Sequence, residues 1–256
     1  MNQPSRLTTE DSWSDIWGNA SIEHVPSLNI TKGLGRDLDR MVGRYIKAGT
    51  HQTCLEIGCY PGRFLRYFGE RFHLETSGLE YVEWCATRCE ELLSKVNCRC
   101  TVHHGDLFSW QTNNQWDVVS SFGLIEHFED TRDVIENHAR LLAPGGVLVI
   151  TFPRHDGIYG NIMGAIAPDR LAMHNRMGLQ RAVEAVEAVD GLRLAEARLL
   201  GRVGFGASRL REWLRSRGRM TRTGLGISIR AIESAGRFLP NSRLLSPHAG
   251  ILAIKQ

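Results

Sequence analysis

Thr53-Cys-Leu-Glu-Ile-Gly-Cys-Tyr-Pro-Gly62 decides the fold. Residues 53–57 form a short apolar run that reads as a buried strand. Gly58 then lets the backbone turn sharply, and Gly62 clears a side chain from a ligand's path. Residues 61–72 follow as a helix, with Phe64, Leu65 and Phe68 on one face. Pro61 in its first turn sacrifices no hydrogen bond. A strand, a glycine turn and a helix make the first βα junction of an open α/β sheet, where ligands bind. The spacing G-x-x-x-G is not the G-x-G-x-x-G pyrophosphate cradle, and it lacks the lysine of a P-loop. The helix N-terminus therefore suits a nucleoside or a carboxylate better than a chain of phosphates.

Outward from this turn the alternation continues. Strands are expected over 74–79, 98–104, 116–122 and 147–152, with helices over 82–93 and 132–142. Strands separated by helices mean βαβ units and a parallel sheet. After Pro153 the pattern breaks. Residues 155–172 read as a loop or short cap, 179–189 as a helix, 192–199 as a sixth strand and 250–255 as the last strand. Upstream, Leu34, Leu38, Met41, Val42, Tyr45 and Ile46 mark a helix ending at Gly49. Residues 1–31 form a polar arm or lid anchored by Trp13 and Trp17, and residues 32–256 form one domain.

The chain has 256 residues, 42% hydrophobic and 23% charged, as ordinary globular proteins do. A net charge of +3 excludes a globally basic nucleic-acid binder, and no DNA partner is expected. No apolar run approaches the roughly 20 residues of a membrane span. MNQPSRLTTEDSW holds no apolar signal core, so the cytoplasm is the expected location. The six cysteines, at 54, 59, 85, 89, 98 and 100, fall in strands and helices. They read as buried thiols, not as disulfides or metal ligands, and no metal is expected.

Further residues can carry chemistry. Glu80 ends the second strand, where its carboxylate can accept two ribose hydroxyls or cap a helix. In Gly105-Asp106-Leu107 the aspartate can hold an adenine amino group or serve as a helix cap. Then come Ser120-Ser-Phe-Gly-Leu-Ile-Glu-His-Phe-Glu-Asp130 and Leu141-Leu-Ala-Pro-Gly-Gly146.

In order and spacing this set resembles the class I S-adenosylmethionine-dependent methyltransferases. The likeness spans residues 50–153 and, more loosely, 172–199. It implies a Rossmann-like α/β fold: a seven-stranded, mostly parallel sheet with helices on both faces and an antiparallel last strand. It also implies S-adenosylmethionine at Glu56, Gly58, Cys59, Tyr60, Gly62, Glu80, Tyr81, Asp106, Leu107, Phe122 and Gly123. Tyr60 departs from the glycine found in many members and bears on how the methionine part is held.

Methyl transfer from an activated sulfonium needs alignment and exclusion of water. A sugar-type hydroxyl must also lose its proton, and His127, just after strand four, is the catalytic candidate. The alternative is that Glu126-His127 only orders the loop. His155 and His174, in the cap, are weaker candidates, and Glu126 is expected to orient. No Asn/Asp-Pro-Pro-Tyr tetrad and no Pro-Cys nucleophile follow strand four, so the acceptor is expected to be a small molecule or glycan.

Specificity is expected from 1–31, 153–175 and 201–243. The last segment carries ten arginines and two acids, a net +8 that leaves −5 on the rest of the chain. It reads as a solvated helical cap, a site for an anionic acceptor, or a contact with an anionic membrane, and less well as an RNA site, since Trp213 is its one aromatic of the stacking kind besides Phe205 and Phe238. The rival readings are an N-methyltransferase, a nicotinamide oxidoreductase, and a partner protein that binds the cofactor without turnover.

Overall fold

The computed structural model describes residues 5–205, 208, 210–215, 219–236 and 238–256. Its strands are β1 (Thr53–Ile57), β2 (Glu75–Glu80), β3 (Cys100–His104), β4 (Trp116–Phe122), β5 (Leu142–Pro153), β6 (Leu192–Leu200) and β7 (His248–Lys255). They form one sheet in the order β3-β2-β1-β4-β5-β7-β6. The first five run parallel, and β7 lies antiparallel between β5 and β6, with Ile251 opposite both Ile150 and Ala197.

The helices are α1 (Glu10–Gly18), α2 (Gly33–Val42), α3 (Arg63–Phe72), α4 (Glu83–Ser94), α5 (Thr131–Arg140), α6 (Ile158–Ile166), α7 (Pro168–Leu171), α8 (Leu179–Glu187), α9 (Leu210–Arg215) and α10 (Arg219–Gly236). The period of two sorts the strand side chains between two helical layers. Leu55 and Val119 join a core with Ile135 of α5 and Val186 of α8. Cys54 and Val118 pack on the other face with Met41 of α2 and Phe68 of α3. Buried on both faces, these strands are mostly apolar, as parallel strands are, with Glu56, Ser120 and Ser121 as buried polar exceptions.

Register brings the strand ends to one edge. Ile57 pairs with Leu79 and Ser121, and Glu80 pairs with His104. Backbone hydrogen bonds tie the turns that follow: Gly58 N to Leu79 O (2.8 Å), Gly105 N to Glu80 O (2.9 Å) and Gly123 N to Thr151 O (2.8 Å).

The fold departs from the sequence reading in several places. Residues 155–172 hold α6 and α7, because Tyr159, Gly160 and Met163 make a buried face. A Cβ on Gly160 would stand 2.1 Å from the His155 carbonyl oxygen, so this glycine serves close packing and not a loop. Helix α3 starts at Arg63, which leaves Pro61 in the turn. Arm 1–31 contains α1, capped by Thr9, whose Oγ1 accepts from Ser12 N at 3.2 Å. All six cysteines are unpaired, but Cys98 and Cys100 are only half-buried.

The Arg-rich segment is helical over α9 and α10. Arg209, Arg217 and Arg237 lie outside the described residues, as do the side chains of Arg211, Arg215, Arg219 and Arg222. Its base is fixed by the buried Asp37 of α2, whose Oδ2 accepts from Gly201 N (3.1 Å) and Asn241 Nδ2 (3.0 Å). Burial is the largest influence on this carboxyl and raises its pKa. The hydrogen bonds from Asn241, Arg36 and Gly201 outweigh it and hold the pKa below the ordinary carboxylate value. Among the described residues no helix is long and apolar enough to cross a membrane.

Candidate functional site

A cavity of about 500 Å³ opens at the carboxyl edge of the strands. Its wall gathers Glu56, Gly58, Cys59 and Tyr60 from the first turn, Glu80 and Tyr81 from the second, and Phe122 and Gly123 from the end of β4. Asp106 and Leu107 line an adjoining space of about 40 Å³. The two spaces share Trp13, Gly58, Tyr81 and Leu124. Gly62 and His127 lie on neither wall. Gly62 has φ 91°, and a Cβ there would meet the Leu93 side chain at 2.9 Å. It is needed for the turn and for packing, not to clear a ligand's path.

Glu80 is buried, and its carboxylate is built into the turn. Oε2 accepts from Tyr60 N at 3.0 Å, while Oε1 accepts from Tyr81 N at 2.9 Å and Val82 N at 3.4 Å. Burial pushes its pKa up and these three donors pull it back. A carboxylate has about four acceptor positions, so with three taken one remains for a hydroxyl at the cavity wall. Glu56 contrasts with it. Its Oε2 is buried without a partner, and burial pushes its carboxyl well above the ordinary range. Phe122 stacks on Phe64 at 3.6 Å and makes part of the wall flat and apolar. These residues fit S-adenosylmethionine: the remaining Glu80 position suits a ribose hydroxyl, and the unpartnered Glu56 oxygen suits the cationic methionine end.

The smaller space is filled from the arm. Arg6 pairs with Asp106, which also accepts from Phe108 N at 3.0 Å. The guanidinium carbon lies 4.6 Å from the Tyr81 ring centre, 5.2 Å from that of Phe108 and 5.5 Å from that of Phe128. The arm is held by main-chain bonds from Leu7 N to His127 O (2.9 Å) and from Glu129 N to Ser5 O (3.0 Å). Arg6 escaped the sequence reading because a lone arginine in a polar arm has no periodicity. The wall residues 21–24 escaped it for the same reason.

His127 is buried. Its Nδ1 donates to Met173 O at 2.7 Å, and Trp13, itself on the cavity wall, packs edge-on at 4.7 Å between ring centres. Burial, and then His174, lower its pKa to about 3. Burial pushes Glu126 up to about 8. His127 is therefore neutral at pH 7, and its 3.8 Å contact with Glu126 is not an ion pair. The His174 ring packs tilted against His127 with centres 4.5 Å apart, and His155 lies 4.6 Å from His174. The three histidines singled out by the sequence thus come together beside Glu126.

A methyltransferase-domain family model matches residues 23–205. Comparison with curated proteins gives no significant sequence match. Among solved structures, geranyl diphosphate C-methyltransferase from Streptomyces coelicolor, crystallised with Mg2+, geranyl diphosphate and S-adenosyl-L-homocysteine, is similar at TM-score 0.60 and 12% identity. The match covers 96% of this chain and 98% of that one. The N-methyltransferase NodS from Bradyrhizobium japonicum, bound to S-adenosyl-L-homocysteine, matches at TM-score 0.55 and 15% identity over 98% and 94% of the chains. The [4+2]-cyclase SpnF matches at TM-score 0.60 and 14% identity over 99% of both. At such identities the likeness speaks for the fold, and one fold hosts several chemistries. The family match covers most of the chain, and the seven-stranded, mostly parallel sheet agrees with it. The chain belongs to the methyltransferase-domain family and has the fold of the class I S-adenosylmethionine-dependent methyltransferases.

Proposed function

We propose that this chain transfers the methyl group of S-adenosylmethionine to a small molecule, with a sugar-type hydroxyl as acceptor. The observation that carries the reading is Glu80, a buried carboxylate held by three backbone N–H groups at the wall of the cavity. The bound cofactor supplies an activated methyl on a sulfonium. The chain grips the ribose through Glu80 and the ammonium through Glu56, and it excludes water with Trp13, Trp17 and Tyr60. Asp106 and Leu107 serve the adenine once Arg6 withdraws. His127, neutral at pH 7 and covered by Trp13, accepts the hydroxyl proton once that ring shifts to admit the acceptor; so weak a base works in step with the transfer and not ahead of it.

In this reading 1–31 is a lid, 153–175 and 201–243 border the acceptor, and a cytoplasmic location suits six unpaired thiols. S-adenosylhomocysteine at about 100 times its Kd should add about 2.7 kcal/mol, raising Tm by about 5–10 °C. NAD and NADP should leave Tm unchanged; a shift with them and none with S-adenosylhomocysteine would favour an oxidoreductase. Labelled-methyl transfer into an extract then separates an O-methyl from an N-methyl product. Binding without any transfer would favour a non-catalytic partner. A second reading concerns the arginine segment: exposed Leu225, Ile227 and Ile232 on α10 support peripheral contact with an anionic membrane. Co-sedimentation with phosphatidylserine vesicles, but not with neutral ones, is the expected result.

A further inference from the structure

We propose that Glu126, His127 and His174 form a binding site for one divalent first-row transition-metal ion, Zn2+ being the default occupant. One ligand atom from each residue lies within 4.8 Å of the other two. Tetrahedral zinc bonds of about 2.1 Å put ligands about 3.4 Å apart, so binding needs a contraction of about 1.4 Å. The residues come from two elements. Glu126 and His127 form the single 3₁₀ turn Ile125–His127 after β4, and His174 follows α7 in the cap.

Both imidazoles are oriented as metal ligands are. His127 Nδ1 donates to Met173 O, and His174 Nδ1 donates to Arg170 O, each at 2.7 Å. A carbonyl only accepts, so the proton sits on Nδ1 and Nε2 presents its lone pair. The Glu126 Oε2 atom supplies an independent observation: it is buried and has no hydrogen-bond partner. Native buried polar atoms rarely stand alone, and a cation satisfies such an oxygen.

Two further bonds fix the halves together. Asn175 N donates to Glu126 O at 2.6 Å, and Asn175 Nδ2 donates to Phe128 O at 3.1 Å. Two imidazoles and one carboxylate suit Zn2+ and its neighbours better than Mg2+ or Ca2+, which prefer all-oxygen shells. Three protein ligands leave a coordination position open. Glu126 Oε1 lies 3.4 Å from where a Cβ on Gly123 would stand, so the cluster adjoins the Gly123 wall of the cofactor cavity. Occupancy makes His127 a ligand instead of a proton acceptor. Metal binding is read directly, so it stands or falls apart from methyl transfer.

The test uses the full chain, stripped with chelator and titrated with ZnCl2 by calorimetry, with bound metal counted by elemental analysis. One ion per chain is expected, with a raised Tm. Glu126→Gln and His174→Ala should each weaken binding about 100-fold. His174→Gln and circular dichroism check that the variants fold. Co2+ in place of zinc should show no thiolate charge-transfer band. No stoichiometric binding by the wild type, undiminished binding by the folded variants, or a thiolate band would overturn the proposal.

Discussion

Glu80 and Asp106 follow neighbouring strands, yet the two halves of the site they serve differ. The Glu80 half is an open cavity of about 500 Å³, and its carboxylate is held by the backbone of its own turns. The Asp106 half is reduced to about 40 Å³, and its carboxylate is taken by Arg6 from the arm. The sheet builds the first half alone. The second half belongs jointly to the sheet and to a segment about 100 residues earlier in the chain, held near Asp106 by the Arg6 guanidinium, two main-chain bonds and the Ser5–Glu129 side-chain bond.

Four substitutions or conditions break or sharpen this contrast. Glu80→Ala should have the largest effect. It removes the ribose acceptor and leaves the Tyr60, Tyr81 and Val82 N–H groups without their carboxylate, weakening S-adenosylhomocysteine about 100-fold by calorimetry. Arg6→Ala should act oppositely. It empties the small space and should tighten the same ligand about 10-fold, since a partly buried pair with ring stacking contributes about 1–2 kcal/mol to closure. Weaker binding would instead make Arg6 part of the nucleoside site.

Gly62→Ala should reduce stability by about 1–3 kcal/mol in urea unfolding, through its positive φ and the contact with Leu93. It should leave Kd nearly unchanged. The fourth effect is absent at neutral pH and concerns buried histidines away from both halves, on α5 and β7. Burial lowers His138 and His248 from 6.5 to about 4 each. Their folded pKa values lie below the unfolded ones, so their share of stability is present above pH 6.5 and is lost as pH falls toward 4. Each accounts for up to about 3 kcal/mol at the acid limit. Tm should fall steadily over this window, and His138→Phe should flatten the slope.

How far the sequence could be read follows from what each element packs against. β1, β4 and β5 are buried on both faces, so their apolar runs were plain. Gly58 and Glu80 could be read because strand-end turns impose local rules of spacing. Helix α6 could not, since its inward face is made of small residues whose burial depends on the His155 backbone. His127 was legible as a residue, but not its burial or its low proton affinity, which come from Trp13 of the arm and His174 of the cap. The Glu126, His127 and His174 cluster has no spacing signature, because its last member arrives 47 positions later by way of β5, α6 and α7.

The Asp37 carboxylate has a consequence for the rest of the chain. Gly201 and Asn241, 40 positions apart, meet on one oxygen of a buried group. The arginine-rich excursion between them is closed at its base before it leaves the sheet. Once its ends are joined, doubling its length adds only about 0.6 kcal/mol of loop entropy. The length of the excursion is thereby uncoupled from the pairing of β6 with β7. Its composition is not, since Leu214 and Ile229 are buried and Phe205 packs on Tyr159 of α6.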